Sequence, residues 1–344
     1  MMMNEPLGAF KTRSFGDRNR YPNRRFFLGC LGSTLPVAAW AQKLPSTGLK
    51  RIGFLNGDLP ALTQAFNIEL RRLGYIEGKN LTIETRLTQP NSNAGAKYAA
   101  ELAHMDLQLV VAGALPFALE IRKANPAMPM VIATCPGMVS NGFAARLDRP
   151  GGHVTGMDEL PPGVTAKRLT LLKAAAPNVS RIALLSTTPG RGGHETQVAD
   201  AERAAEGLGV TVKAYRAASF PELETALVAI AKDSMNGLVN FQGGLSVANR
   251  GRIVEFAAKQ ALPAIFQATM FAESGGLMAW APNLEEQYAM AARYVDKILK
   301  GANPGELAIQ YPPRYYLTIN SGAAKGLGLT VPPPLLAQAD RVIP

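Results

Sequence analysis

The feature that most constrains the fold is a rhythm of short apolar runs and amphipathic stretches, and the chain plays it twice. Arg51-Ile52-Gly53-Phe54-Leu55 reads as a buried strand ending in Asn56-Gly57. Leu62, Ala65, Phe66, Glu69, Leu70 and Leu73 then recur at i, i+3 and i+4, the period of a helix, and Gly74 caps it. Leu81, Ile83 and Thr85 alternate with polar residues as in an outer strand. Ala94 to Ala103 is helical, Leu107 to Ala112 an apolar strand, Pro116 opens a helix, and Pro129 to Thr134 gives a further strand. Strands separated by helices form right-handed βαβ units, so the sheet is parallel.

After Gly151-Gly152 the rhythm restarts. Helices are expected over Thr165 to Ala175, Glu195 to Leu208, Phe220 to Lys232 and Val247 to Gln260. Strands are expected at Arg181 to Leu185, Val210 to Tyr215, Leu238 to Phe241 and Pro263 to Phe266. The tail departs from this pattern. Gly275-Gly276-Leu277-Met278 reads as a crossing strand, Glu285 to Lys300 as a long helix and Tyr315 to Asn320 as a strand. Gly322 to Leu327 reads as a short helix and Pro332-Pro333-Pro334 as a stiff stop. The fold class is therefore α/β, with two doubly wound parallel-sheet lobes and a ligand cleft between their strand C-termini. One lobe takes residues 49–157 and about 283–307, the other 158–282 and about 308–344. Several passes of the chain between the lobes make a hinge.

The N-terminus carries an address. Arg24-Arg25 is followed by Phe26-Phe27-Leu28, an uncharged stretch from Gly29 to Ala39, and Ala39-Trp40-Ala41 with small residues where a signal peptidase reads. This is an export signal of twin-arginine type over residues 1–41, cut near Ala41. The apolar run is too short and too rich in Gly, Ser and Pro to remain as a membrane span. Cys30 follows the arginines too closely to act as a lipidation cysteine. The working molecule is expected in the periplasm.

The formal charge of the chain is +10, from 36 basic and 26 acidic residues; the signal holds six and two of these, so the remainder has 30 against 24. The excess is scattered and forms no run or stripe, so no nucleic-acid partner is expected. Without Cys30, Cys135 stands alone and no internal disulfide can form. As a nucleophile it would need a base nearby, and His104, His153 and His194 sit at no telling spacing from it. No phosphate-binding G-x-x-x-x-G-K-[ST] loop, no G-x-G-x-x-G after the first strand, no H-E-x-x-H and no G-x-S-x-G occurs. No catalytic residue, metal site or cofactor is expected.

What remains is a set of small and polar residues at strand ends. They are Asn56-Gly57, Gly113-Ala114-Leu115, Thr134-Cys135-Pro136, Ser186-Thr187-Thr188 and Gln242-Gly243-Gly244. Such residues make turns, but they also let a ligand reach backbone N–H groups and helix N-termini. Their recurrence at one topological place in both halves marks them as candidates, with Gln267 after the strand at Pro263 to Phe266. Trp280, Tyr288, Tyr315 and Tyr316 could line an aromatic cleft, although packing is the commoner use of such rings.

Six segments carry a family resemblance. They are Leu73-Gly74-Tyr75-Ile76-Glu77-Gly78-Lys79-Asn80-Leu81, Arg149-Pro150-Gly151-Gly152-His153-Val154-Thr155-Gly156, Lys167-Arg168-Leu169-Thr170-Leu171-Leu172-Lys173, Gly275-Gly276-Leu277-Met278, Tyr294-Val295-Asp296-Lys297-Ile298-Leu299-Lys300-Gly301 and Ala324-Lys325-Gly326-Leu327-Gly328-Leu329-Thr330-Val331-Pro332. On these the chain resembles the ABC-transporter substrate-binding proteins of the tryptophan- and tyrosine-associated group. The resemblance implies a type I periplasmic-binding fold whose lobes close on one small ligand, with an ABC permease of the inner membrane as partner and the receptor itself a monomer. It maps the ligand loops onto Gly113-Ala114-Leu115-Pro116, Thr134-Cys135-Pro136, Ser186-Thr187 and Gln242-Gly243-Gly244. Two positions depart from the family's pattern, Cys135 and Gly243 standing where an Asp is usual. A buried ammonium needs a counter-charge, so a neutral or anionic solute, aromatic ones included, is expected over an ordinary amino acid. The alternative is an exported sensor subunit or enzyme on the same scaffold.

Overall fold

The computed structural model describes residues 48–89, 94–188, 192–241 and 243–344. The export signal, the cut near Ala41, Cys30 and Gln242 lie outside them. The first lobe runs β1 (Lys50–Gly57), α1 (Pro60–Arg72), β2 (Leu81–Thr88), α2 (Ala94–Ala103), β3 (Leu109–Ala112), α3 (Leu115–Ala124), β4 (Met130–Cys135) and β5 (Val154–Asp158). Its five strands are parallel in the order β2-β1-β3-β4-β5.

The second sheet repeats the plan. It runs α4 (Val164–Ala175), β6 (Arg181–Ser186), α5 (Gly192–Leu208), β7 (Thr211–Arg216), α6 (Phe220–Lys232), β8 (Gly237–Phe241), α7 (Gly244–Ala248), α8 (Arg250–Lys259), β9 (Ala264–Phe266), α9 (Thr269–Glu273) and β10 (Met278–Pro282). The chain then returns to the first lobe as α10 (Leu284–Leu299). It comes back to the second lobe for β11 (Tyr315–Asn320), α11 (Ser321–Gly326), α12 (Pro333–Leu336) and β12 (Arg341–Ile343). The second sheet is ordered β12-β11-β10-β9-β8-β6-β7, so its first five strands follow the same second-first-third-fourth-fifth sequence as the first sheet. Only β11 runs antiparallel to its neighbour β10.

This strand order has its reversal between the first and third strands of each sheet, the place where open α/β sheets bind ligands. In the first sheet that is the end of β1 and β3, at Asn56 and Gly113. In the second it is the end of β6 and β8, at Ser186 and Phe241. Burial explains why β3, β4 and β8 are apolar but for Thr134 and Asn240: every residue in them is buried, as in strands covered on both faces.

α10 locks the first lobe. Asn283 caps it by accepting from Glu286 N at 3.2 Å, and Tyr288, Ala291, Ala292, Val295 and Leu299 form its buried stripe. That stripe packs into one cluster with Phe54 of β1 and with Leu62, Phe66 and Leu70 of α1. Glu69 of α1 reinforces the contact, accepting from Arg72 Nη2 and Arg293 Nε, each at 2.7 Å.

The structure differs from the sequence expectations in the irregular parts. β5 was hidden between turn residues, because Val154–Asp158 is short and holds Gly156 at φ +143°. The crossing strand begins at Met278, and Gly275 at φ +101° lies in the turn before it. The long helix expected over Val247 to Gln260 is two helices broken at Asn249. Pro333 and Pro334 open a helix where a stop was expected, since proline at a first turn forfeits no intrahelical bond.

Candidate ligand-binding site

The end of β1 is held by a tyrosine from α10. The Tyr288 hydroxyl lies 2.8 Å from Asn56 Oδ1 and 3.0 Å from the Gly113 carbonyl, which also accepts from Thr134 Oγ1 at 3.0 Å. Asn56 is 1% exposed, yet its Nδ2 has no partner. Gly113 is required for this arrangement: a Cβ there would lie 2.0 Å from Asn56 Oδ1 and 2.6 Å from the Tyr288 hydroxyl. Immediately after it, Ala114, Leu115 and Pro116 form the first turn of α3, whose leading N–H groups lack intrahelical acceptors.

The facing wall comes from the second lobe. Thr187 Oγ1 accepts from Ser246 N at 3.3 Å, Ser186 Oγ accepts from Thr188 N at 3.3 Å, and Ser246 Oγ accepts from Gly243 N at 3.0 Å. A Cβ at Gly243 would sit 2.6 Å from Thr187 Oγ1 and 2.8 Å from Thr188 Cγ2. With the two threonines in these positions there is no room for an aspartate. Gln267 donates through Nε2 to Gln197 Oε1, and Gln197 Nε2 donates to the Gly193 carbonyl at 3.1 Å.

Between these walls lies a cavity of about 190 Å³. That is below the roughly 300–1,000 Å³ of sites for drug-sized ligands, so it suits a small solute. Asn56, Thr134, Glu159, Thr188 and Gln267 supply polar lining, and Leu59, Leu62, Phe117, Val247, Met270 and Leu284 supply apolar lining. Near it the lobes touch: Gly193 of α5 is so close to the Pro136 carbonyl that a Cβ would come within 2.1 Å of its oxygen.

Of the residues named from sequence, Asn56, Ala114, Leu115, Thr134, Gly243 and Gln267 line this cavity. Gly113, Ser186 and Thr187 stand behind the lining and hold it in place. Cys135 does not face the cavity. Its side chain joins the apolar cluster of Leu55, Ile132 and Met138, and burial pushes its thiol well up. Of the four aromatics named from sequence, Tyr288 lines the cavity and the others do not; Trp280 stacks on Tyr315 at 4.6 Å, and the Tyr316 hydroxyl donates to Glu286 Oε1 at 2.8 Å. Cys135 lies off the lining because β4 alternates its side chains, so Thr134 takes the cleft side and Cys135 the core side.

One residue absent from the sequence candidates changes the electrostatics. Glu159 follows β5 where the chain first leaves the first lobe, and it lines the cavity. Its N–H donates to the Cys135 carbonyl at 2.8 Å, its own carbonyl accepts from the Tyr315 hydroxyl at 2.8 Å, and Oε1 accepts from Gln287 Nε2 at 3.1 Å. Burial pushes its carboxyl up to about 7; the neighbouring Asp158 charge adds to the rise, while Gln287 and Arg168 oppose it. Arg168 is itself buried and pushed down to about 10. Its Nε donates to the Trp280 carbonyl at 3.2 Å and its guanidinium lies 5.7 Å from the Trp280 ring. Asp158 is engaged by three backbone donors, Gly137 N and Leu160 N on Oδ1 and Met138 N on Oδ2. A carboxyl group is thus present in the cleft, supplied from the crossing between β5 and α4. The acid pair Asp158-Glu159 closing an apolar strand was the signal available in the sequence.

Among the described residues no group of His, Cys, Asp and Glu could hold a metal ion, and no helix is long and apolar enough to cross a membrane.

Comparison with solved structures places the fold. A domain from Streptococcus pneumonia crystallised with L-Trp superposes with a TM-score of 0.79 at 23% identity, over 86% of this chain and 100% of that one. A conserved domain protein from Vibrio cholerae gives 0.78 at 25% identity, over 85% and 99%. The ligand-free, open form of a substrate-binding protein with adhesive properties from Clostridium difficile gives 0.65 at 22% identity, over 86% and 99%. No curated protein matches the chain. The family model described as ABC transporter substrate binding protein matches residues 56–343, which takes in both lobes and every described cavity residue. The chain belongs to the ABC transporter substrate-binding protein family.

Proposed function

We propose that this chain is the non-catalytic solute receptor of an ABC importer, exported by the twin-arginine route and cut near Ala41 to work in the periplasm. A small organic solute enters between the lobes, bridges them, and stabilises the closed form through contacts that only that form offers. The closed form then docks on a permease in the inner membrane. The receptor acts as a monomer, with lobes of 49–157 plus about 283–307 and 158–282 plus about 308–344.

The observation that carries this reading is the meeting of both strand-order reversals at one small, mixed-polarity cavity. Residues of either lobe alone make only half of it, so occupancy and closure are coupled. The Gly193 to Pro136 contact supports a closed arrangement.

The test is native mass spectrometry of the protein purified from cells, followed by thermal-shift screening with amines, amino acids (L-Trp among them), organic acids and polyols. A solute that raises the melting temperature by mass action and is recovered unchanged is the expected result. A solute recovered chemically altered would overturn the receptor reading in favour of an enzyme.

A further inference from the structure

We infer that Glu159 is the subsite for a positively charged group of the solute, so that the ligand is an amine anchored at the hinge. The inference rests on the receptor reading above and names the ligand class of the same cavity. Glu159 is the one ionisable acid in the cavity lining, and among the described residues that lining contains no Lys, Arg or His. An ammonium entering the cavity therefore meets a counter-charge, whereas an anion meets only neutral donors and a carboxylate that repels it.

The carboxyl is placed for this role and left incomplete. Its one hydrogen bond among the described residues comes from Gln287 Nε2, although a carboxylate offers about four acceptor sites. Arg168 is the nearby cation, but no ion pair joins it to Glu159, and its Nε is committed to the Trp280 carbonyl. The unpartnered Nδ2 of Asn56, another lining residue, is a neutral donor suited to a hydroxyl or carbonyl on the same ligand. The sequence expectation of a neutral or anionic solute gives way to an amine for this reason.

The position also makes closure sense. Glu159 sits on the first crossing between lobes. Its carboxyl is bonded by Gln287, just after the second crossing, and its carbonyl by Tyr315, at the end of the third. A cation drawn to this carboxyl is drawn to the point where the three hinge segments meet.

A pH signature follows. Facing Glu159 are Asp158 from its own strand end, Cys135 from β4, Arg168 from α4, Tyr288 from α10 and Tyr315 from β11. Burial drives the Cys135, Tyr288 and Tyr315 values upward and leaves Arg168 at about 10, so these groups keep one protonation state between pH 6 and 8. With the Glu159 carboxyl at about 7, the ionised fraction rises through that window, and amine affinity rises with it by about tenfold.

The experiment is titration calorimetry of the full mature chain with phenethylamine, 3-phenylpropan-1-ol and 3-phenylpropanoate, which share a phenyl and differ in charge. Wild type and Glu159→Gln are each measured at pH 6 and 8, with melting temperatures confirming that the variant folds. The expected result is preference for the amine, about tenfold tighter at pH 8 than at pH 6. In Glu159→Gln the amine weakens by about tenfold or more and any remaining pH dependence belongs to Asp158. If the alcohol or the propanoate binds wild type as tightly as the amine, the ammonium subsite is wrong and the receptor reading stands. The same holds if Glu159→Gln keeps the preference, or if only amine-free solutes bind in the wider screen. If neither these three probes nor any solute of that screen binds, both readings fail.

Discussion

Replacing Glu159 by glutamine should make the ligand-free protein more stable at neutral pH, and the gain should vanish in acid. Burial raises this carboxyl from its ordinary 4.5 to about 7, so between those values the folded state keeps a proton that the unfolded chain has released. The unfolded state binds fewer protons there, and stability falls as pH rises, reaching its full cost above about 7. At about 1.4 kcal/mol per pH unit, a rise from 4.5 to about 7 corresponds to about 3.5 kcal/mol. The side chain opens partly onto the cavity, where water screens it, so about 2 kcal/mol is a sounder expectation. Gln287 adds to the effect: its Oε1 is buried without a partner, and an amide at position 159 brings a donor within its reach. The assay is urea unfolding of wild type and Glu159→Gln at pH 5, 6, 7 and 8, followed by the fluorescence of Trp280, which is stacked on Tyr315. The difference should fall from about 2 kcal/mol at pH 8 to less than half of that at pH 5, on its way to vanishing below 4.5. Parallel curves, with the same pH slope in both proteins, would refute the claim that Glu159 is a buried acid forced to ionise.

Glu69 carries the opposite sign. The guanidinium of Arg72, then that of Arg293, holds its carboxyl down at about 2, so its stabilising effect is present above 4.5 and is lost as pH falls towards 2. Both arginines are more than half exposed, so Glu69→Gln should cost about 1–2 kcal/mol at pH 7 and flatten the acid limb of the wild-type stability profile. Gly193→Ala places a Cβ 2.1 Å from the Pro136 oxygen and should hold the lobes apart. Ligand affinity should drop about 5- to 150-fold, and small-angle scattering should show no compaction when the wild-type ligand is added. Gly113→Ala should abolish binding, because its Cβ would fall 2.0 Å from Asn56 Oδ1, and should lower stability by about 1–3 kcal/mol in denaturant unfolding. Gly207→Ala is the contrasting control: on α5, with open space around its Cβ position, it should stabilise by about 0.4–1 kcal/mol and leave binding unchanged.

The division between what could be read from sequence and what could not follows the range of the interactions. The end of β1 at Asn56 and the ends of β3, β6 and β8 are set by local features, namely apolar runs stopped by Gly, Ser or Thr, and those features place the backbone of the cavity. β5 escaped notice because its five residues begin after Gly151-Gly152 and contain Gly156, whose Cβ would lie 2.1 Å from the Ile132 oxygen; close packing on β4 overrides the weak strand propensity there. Missing β5 meant missing Glu159, its next residue. Tyr288 was visible as an aromatic on a helix, but nothing near it in sequence says that α10 returns to the first sheet and brings the hydroxyl to Asn56, 232 residues away. The partners of Glu159 are as remote: Gln287 lies 128 residues on and Tyr315 156. The two Asp-to-other departures at Cys135 and Gly243 pointed to a cleft without a carboxylate only while the strand ends were the sole source of side chains. Once the crossings between the lobes are counted as part of the site, the missing charge is replaced from the first of those three segments. A charge placed there binds its counter-ion without belonging to either wall, so its pull on a ligand is also a pull on the angle between the lobes.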